Sequence, residues 1–331
     1  MNQRIQARLQ RLLAHAQQSV AYYQQIWKAA GLHPSSVVTS HQLTSLPPLE
    51  KAVLRRHYVS LLSQPLPPAS LTYTSATEGR TSVVVTSRQA QRLSAAGLRR
   101  LLAEADLPQN AVLANVSPWS RSPVRHRFRG DRGITWIEVG LPEFLQSTTA
   151  KATNHADAVV AAPLVLRELV TALGQSLAMN SVTLINCYER LDPTTLSLAK
   201  QAGLRLFDLY SASEITTPIA FQCRMCNGLH VNDDYVIVEV VDDSDMPVGP
   251  GETGQVLVTD LLNLAMPLIR FRIGDIATTS DGACPCGRSL SRLARIDGRA
   301  DNYIYLANKE KILVTPAIDQ LAAVLPADFC L

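Results

Sequence analysis

The chain has 331 residues, of which 47% are hydrophobic and 18% charged, and its formal net charge is +3 at pH 7. This composition is typical of a folded globular protein, and so small a charge gives no reason to expect nucleic-acid binding. The longest apolar runs, such as residues 158–166, are far shorter than a membrane span, and the polar N-terminus lacks the apolar core of a signal peptide. We therefore expect a cytoplasmic protein without a membrane or nucleic-acid partner.

The N-terminal third is predicted to form a helix followed by two strands around a polar loop. Residues 3–30 carry apolar side chains at three- and four-residue steps, which predicts one amphipathic helix ending at Gly31. After a proline-rich connection, "SLTYTS" and "SVVVTS" predict two strands that flank a loop rich in Ser and Thr, residues 74–82. A Walker-type phosphate loop must open a helix, so this loop is either another kind of phosphate cradle or an ordinary turn.

From residue 88 to 210, predicted helices alternate with short apolar strands. The helices are predicted at 88–107, 164–173 and 194–203, and the strands at 110–117, 133–139, 182–187 and 204–211. This alternation favours an α/β fold with mostly parallel sheets flanked by helices. The stretch 121–132, with five arginines, is interpreted as a solvated basic loop. After residue 228 the sequence becomes rich in strands and turn clusters.

Two carboxylates stand where such folds bind ligands. Glu214 follows the predicted strand 204–211, at the carboxyl end of a parallel sheet, where it could hold Mg²⁺ beside a phosphate. Asp275 follows Gly274 in a predicted turn and could accept two ribose hydroxyls. Taken alone, each residue is more often an ordinary solvated loop or turn residue.

Two close cysteine pairs predict a metal site in the strand-rich region. Cys223 and Cys226 form one pair, Cys284 and Cys286 form the other, and His230 follows the first pair. In a reducing compartment such pairs favour tetrahedral zinc over disulfides, although four cysteines without metal are the alternative. Five side chains compete for four positions, so the residues alone leave His230 and Cys226 as alternatives. A site filled by protein ligands would make the zinc structural.

In this order, the motifs resemble those of the adenylate-forming superfamily, and the branch that the chain most resembles is that of the phenylacetate–CoA ligases. The resemblance rests on the Ser/Thr loop, on Tyr210 to Glu214, on "RIGD" at 272–275 and on Gly298, Arg299 and Asp301. The segments "GLHVNDDYVIVEVVD" and "CPCGR" are more particular to this branch. The resemblance implies an adenylate-forming domain at 1–298, with a strand-rich, zinc-bearing part at about 219–298. A hinge and a truncated remnant of the C-terminal domain would follow at 299–331.

The resemblance also implies roles for single residues. The nucleotide would be bound by Thr74, Ser75, Thr77, Gly79, Tyr210, Ser213 and Asp275. Tyr210 would pack on adenine and Asp275 would hold the ribose. The catalytic residues would be Arg80, Glu214, which would bind Mg²⁺, and Arg299, while Asp301 would be the hinge. The implied zinc ligands are Cys223, His230, Cys284 and Cys286, with Cys226 as the alternative ligand.

The implied activity is the ATP-dependent activation of a carboxylic acid, aryl or hydrophobic, as an acyl-adenylate. The segments 115–119, 162–165 and 186–190 would form the acid pocket, which Trp119 and Tyr188 could line. CoA, a carrier protein or an amine could accept the acyl group, and a partner protein could supply the missing domain.

One departure from the family motif favours a different function. Glu78 stands in the Ser/Thr loop where a small hydroxyl residue is usual, and its charge would repel a triphosphate. The alternative is therefore a non-catalytic nucleotide-binding or scaffold protein that keeps the fold and the zinc site.

Overall fold

The computed structural model describes residues 3–34, 37, 39–73, 82–118, 124–127, 133–147, 156–225, 228–305 and 311–314. The chain divides into two compact units. The first comprises Met1–Leu98, Ser211–Ala220 and His230–Arg299, and the second comprises Arg99–Tyr210, Phe221–Leu229 and Ala300–Leu331. The domain boundary expected between residues 298 and 299 remains a prediction.

The α-helices of the described ranges are α1 (Gln3–Ser19), α2 (Ala21–Ala29), α3 (Lys51–His57), α4 (Arg88–Glu104), α5 (Leu141–Ser147), α6 (Pro163–Met179) and α7 (Pro193–Gln201). Two short 3-10 helices span Ser40–Ser45 and Tyr58–Leu61. None of the helices in the described part of the chain is long and apolar enough to cross a membrane.

The first eight strands are β1 (Ala69–Tyr73), β2 (Val83–Ser87), β3 (Val112–Ser117), β4 (Val124–Arg127), β5 (Thr135–Gly140), β6 (Ala158–Ala161), β7 (Thr183–Asn186) and β8 (Leu206–Tyr210). The later strands are β9 (Ala220–Phe221), β10 (Leu229–Val231), β11 (Val236–Val241), β12 (Thr253–Asp260), β13 (Phe271–Thr279), β14 (Arg292–Arg299), β15 (Tyr303–Tyr305) and β16 (Lys311–Leu313).

The N-terminal amphipathic region forms two helices, and the prediction of one helix over 3–30 is wrong at Val20. This residue adopts an extended conformation (φ −123°, ψ 112°) and forms a β-bridge with Ser63. The adjacent backbone bond, from Gln64 N–H to the Ser19 carbonyl, is 2.7 Å long. Val20 keeps its helical bonds to Ala16 and Gln24, and the long-range bonds are added at its extended backbone, which the local apolar spacing could not reveal. The apolar face of α1 is buried as expected, through Leu9, Leu12, Leu13 and Ala16.

The hairpin β1–β2 confirms the predicted strand–loop–strand arrangement. The two strands pair antiparallel, from Ala69 opposite Ser87 to Tyr73 opposite Val83. The residues between them, 74–81, lie outside the described part of the chain, so nothing is stated of their placement. The predicted nucleotide or catalytic residues on this stretch are Thr74, Ser75, Thr77, Gly79 and Arg80, and Glu78 lies there too.

In the first unit, β11, β12, β13 and β14 pair antiparallel in that order. A buried ion pair stabilises one edge of this group. Arg270, which is 1% exposed and has φ +48°, points its Nε at both carboxylate oxygens of Glu239, at 3.2 and 3.1 Å. Its Nη atoms donate to backbone carbonyls, including that of Asp245 at 3.0 Å. Burial raises the pKa of Glu239, and the charge of Arg270 opposes that rise.

The second unit contains a mixed sheet in the order β8, β7, β6, β3, β5, β4. All neighbours in it are parallel except β4 and β5, which confirms the predicted α/β fold with a mostly parallel sheet. The central strands are apolar on both faces, as parallel strands covered by helices must be, and the core includes Val159, Leu184, Leu166 and Leu169. Residues 124–127 form strand β4, so the interpretation of 121–132 as wholly loop is corrected there.

Candidate active site and metal cluster

The carboxylate predicted to hold the ribose lies opposite a predicted catalytic arginine. Asp275 on β13 and Arg299 on β14 are direct antiparallel partners, and Arg299 Nη1 donates to Asp275 Oδ1 at 3.0 Å. Gly274, at φ +83°, precedes the carboxylate, and a Cβ there would lie 3.3 Å from Arg299 Nη2. A glycine is therefore needed for both its backbone conformation and the close approach of the guanidinium.

Strand β13 also fixes the chain that leads into α3. Leu49 N–H donates to the Arg270 carbonyl, and Arg272 N–H donates to the Leu49 carbonyl, both at 3.0 Å. The side chain of Arg272 forms an ion pair with Glu50 at 3.0 Å. Because Glu50 directly precedes α3, these bonds set the position of Lys51, the first residue of that helix.

Glu214, the predicted magnesium ligand, has a cationic neighbour. The carboxylate is 7% exposed, and its Oε1 lies 3.8 Å from Lys51 Nζ. Ser213, a predicted nucleotide-binding residue, points its Oγ at Glu214 Oε2 over 3.4 Å. The sequence analysis missed Lys51, because the two charges are 163 residues apart and no local pattern links them. Proteins usually hold Mg²⁺ through one or two carboxylates together with substrate phosphates, and Glu214 could supply one such carboxylate.

Two polar residues at the end of β12 and just after it, Asp260 and Asn263, bind the chain next to Glu214 and the strand β2. Asp260 accepts the backbone N–H of Thr216, close to Glu214, at 2.9 Å. Asn263 accepts from Ser87 N–H at 3.1 Å and donates to the Val85 carbonyl at 2.8 Å, which holds the strand that leaves the Ser/Thr loop. Burial raises the pKa of Asp260. These two residues were also missed, although their polarity within the apolar run "TDLLNLAMPL" was a signal.

In the second unit, side chains at the carboxyl ends of parallel strands meet in one polar network. Tyr188 Oη donates to Asn115 Oδ1 at 2.9 Å, and Asn115 Nδ2 donates to Glu138 Oε2 at 2.8 Å. Two of the three segments expected to form the acid pocket, 115–119 and 186–190, therefore come together. Trp119 lies outside the described residues.

Close to this network, Asn186 Nδ2 donates to Asp208 Oδ1 at 2.7 Å. Burial raises the pKa of Asp208 to about 6, and the hydrogen bond from Asn186 opposes the rise. Two residues further along β8, Tyr210 is buried at the carboxyl end of the strand, where ligands bind in α/β folds.

The predicted metal ligands also come together. One ligand atom from each of Cys223, His230, Cys284 and Cys286 lies within 4.8 Å of the others. Cys286 Sγ is 3.3 Å from His230 Nε2, and Cys286 N–H points at Cys284 Sγ over 3.5 Å. Three sulfurs and one imidazole nitrogen at this spacing fit tetrahedral zinc. Cys226 lies outside the described residues, so its part in the cluster remains a prediction.

Comparison with known proteins identifies relatives that match most of the chain. No protein-family model matches. Phenylacetate-coenzyme A ligase of Thermus thermophilus is 25% identical over 312 residues, which are 90% of this chain and 70% of that protein. The Escherichia coli protein of the same name is 25% identical over 316 residues, 90% of this chain and 71% of that protein. The chain thus spans about 70% of the length of these relatives.

Solved structures share the fold. A 2-hydroxyisobutyryl-CoA ligase in complex with R3-HIB-AMP superposes with a TM-score of 0.80 at 17% identity, covering 97% of this chain and 72% of that one. ATP-bound MatB from Rhodopseudomonas palustris gives a TM-score of 0.56 at 15% identity, covering 77% and 52%. The chain therefore shares the α/β fold of the 2-hydroxyisobutyryl-CoA ligase.

Proposed function

We propose that this chain, an adenylate-forming ligase similar to phenylacetate–CoA ligases, activates a carboxylic acid with ATP. An oxygen of the carboxylate attacks the α-phosphorus, the bond from that phosphorus to the bridging oxygen breaks, and pyrophosphate leaves. The sulfur of a thiol then attacks the acyl carbon, and AMP leaves with the electron pair of the carbon–oxygen bond. Both steps depend mainly on positioning and on stabilising developing negative charge.

The observation that carries the proposal is the buried carboxylate Glu214 with Lys51 at 3.8 Å. We assign Glu214 to hold Mg²⁺, which when bound offsets the negative charge of the phosphates. Lys51 would add a second, fixed cation for the leaving pyrophosphate. This assignment gives a charge-stabilising role to a lysine within the described chain.

The resemblance to the family supplies the proposed nucleotide-binding residues. Asp275 would accept the ribose hydroxyls, and Arg299, already bound to that carboxylate, would reach the ribose or the α-phosphate. Tyr210 would pack on the adenine, and Thr74, Ser75, Thr77 and Gly79 would cradle the triphosphate, with Arg80 as their cation. We propose 1–298 as the adenylate-forming domain and 299–331 as the segment that begins with the hinge.

The proposed acid follows from the residues near its expected pocket, and the proposed acceptor follows from the names of the relatives. We propose an aryl or hydrophobic acid, bound near Tyr188 and Asn115 at the carboxyl ends of the second unit's strands. We propose a thiol as acceptor, with CoA first, because the relatives are named as coenzyme A ligases. A carrier protein or an amine remains the alternative acceptor. The relatives do not favour the non-catalytic scaffold.

We propose that Cys223, His230, Cys284 and Cys286 hold a structural zinc ion. Four protein ligands would leave no open position for a substrate. The metal would then stabilise the loops that carry it and take no part in the ligase reaction. The thiolates suit a reducing compartment such as the cytoplasm.

Calorimetric titration with MgATP and AMP tests the proposal, followed by a screen of carboxylic acids for pyrophosphate release. We expect wild-type binding that Asp275→Ala weakens, and pyrophosphate release with at least one aryl or hydrophobic acid. Glu78→Thr should tighten ATP binding, because two unit charges ~4 Å apart repel by at most roughly 4 kcal/mol at an effective dielectric of ~20. Nucleotide binding by neither the wild type nor Glu78→Thr would overturn the proposed function.

A further inference from the structure

A basic cleft of about 600 Å³ lies in the first unit, and none of its described lining residues is acidic. Arg11 and His15 reach it from α1, and Arg88 and Arg92 reach it from α4. Residues four apart share one face of a helix, so each helix turns a basic pair toward the same cavity. The cleft therefore concentrates positive charge in a chain whose formal net charge is only +3.

The guanidinium groups that line this basic cleft have no partner among the residues that the structure describes. The side chains of Arg11, Arg88 and Arg92 make no hydrogen bond or ion pair with any residue that the structure describes. Like charges at i and i+4, such as those of Arg88 and Arg92, repel each other and destabilise a helix. An anion bound in the cleft would remove that repulsion and satisfy several guanidinium donors at once.

The walls of the basic cleft are fixed before any ligand binds. His15 Nε2 donates to the Leu264 carbonyl at 2.9 Å, which holds the imidazole in one orientation. Pro65, Pro67 and Pro68 form part of the lining and restrict the backbone there. The first residue of the 17-residue helix α4 is Arg88, so the positive end of the helix dipole lies at the same cavity.

The basic cleft is separate from the predicted triphosphate cradle. It lies at the Ser87 end of the β1–β2 hairpin, whereas the Ser/Thr loop runs between Tyr73 and Val83 at the other end. Four residue steps along an antiparallel strand separate the two ends by about 13 Å. We propose that the basic cleft is a second anion site, which binds a phosphate-bearing ligand through the guanidinium groups of Arg11, Arg88 and Arg92.

Calorimetric titration of the full chain with inorganic phosphate, with CoA and with dephospho-CoA tests this second site. The double variant Arg88→Gln/Arg92→Gln should weaken binding of the preferred anion at least tenfold, and Arg11→Gln on the other helix should weaken it in the same direction. Arg56→Gln is the control for Arg11→Gln, because it removes one positive charge from an exposed position on α3, and it should leave the anion affinity unchanged. Added NaCl should weaken wild-type binding, because the groups are near the surface.

The three probes distinguish the sources of the phosphate. CoA binding tenfold tighter than dephospho-CoA, with the difference lost in the double variant, would assign the cleft to the 3′-phosphate of CoA. Equal binding of free phosphate and CoA would assign it to free phosphate. The proposal would be overturned if Arg88→Gln/Arg92→Gln and Arg11→Gln both bound all three probes with wild-type affinity. It would also be overturned if the wild type bound none of the probes. Asp275→Ala serves as a second control, since loss of the nucleotide site alone should not change these titrations.

Discussion

Arg299 Nη1 donates to Asp275 Oδ1 at 3.0 Å, between residues that face each other directly on β14 and β13. The pair joins the residue expected to hold the ribose to the residue expected to reach the α-phosphate. The side chain of Arg299 is 34% exposed, so this ion pair contributes little to stability.

Asp275→Ala should weaken ATP and AMP binding by about 10- to 100-fold, since a hydrogen bond to a charged group contributes about 1.5–3 kcal/mol. The unfolding temperature should change little. Calorimetry and a thermal melt give the two quantities. Asp281→Ala, at an exposed position of the same unit, is the matched control and should behave as wild type. Unchanged nucleotide affinity in Asp275→Ala would refute the role of Asp275.

Lys51→Met should slow acyl-adenylate formation by about 10- to 100-fold, equivalent to about 1.4–2.7 kcal/mol of transition-state stabilisation. Without the lysine, Glu214 also loses a competing cation, so half-saturation by Mg²⁺ should occur at a lower concentration. Pyrophosphate release measured across a magnesium series gives both values. Lys28→Met, at an exposed position on α2, is the control. A variant with the rate and magnesium dependence of the wild type would show that Lys51 has no part in the reaction.

The purified chain should contain one zinc ion, measurable by elemental analysis. Cys284→Ser/Cys286→Ser should abolish zinc and lower the unfolding temperature, whereas Cys187→Ser, outside the cluster, should retain the metal. His230→Ala should lose zinc and Cys226→Ser should keep it. The reverse result for the last two variants would replace His230 by Cys226 as the ligand, and absence of zinc from the wild type would refute the site.

Stability should fall as the pH rises from about 4 to about 7, through the titration of Asp208. Burial raises the pKa of this carboxyl from 3.8 to about 6, so the folded state binds more protons than the unfolded state within that window. At 1.36 kcal/mol per pH unit, the loss is about 1–3 kcal/mol. Urea unfolding at several pH values measures it. Asp208→Asn should flatten this part of the profile, and an unaltered profile would contradict the assignment.

Arg270→Met should reduce the free energy of unfolding by about 3–5 kcal/mol, because it leaves Glu239 charged and buried without its partner. The double variant Arg270→Met/Glu239→Leu should lose less than the sum of the two single variants, because neither charge is then left alone. Urea unfolding of all four proteins completes the cycle. Losses that add to within about 0.5 kcal/mol would show that the two side chains are not coupled.

The sequence by itself determined the local elements and the chemistry of single positions. Helices α4, α6 and α7 and strands β3, β5, β7 and β8 were predicted, because apolar periodicity reflects how each element buries one or both faces, whereas β4, α5 and β6 were not predicted. The strand–loop–strand form around residues 74–81 followed from strand-forming residues on both sides. The motif resemblance selected Glu214, Asp275 and Arg299 as site residues, and their roles remain predictions.

Only the tertiary structure decided where segments distant in sequence meet. The helix predicted over 3–30 breaks at Val20 because Ser63 and Gln64 supply bonds from another part of the chain. Lys51 reaches Glu214 because Leu49 and Glu50 are bound by β13. The spacing of residues in the sequence does not predict that contact. Hydrophobic patterns specify which face of an element is buried. The partner of a buried charge is instead set by which strands and loops pack together, and that is a property of the whole fold.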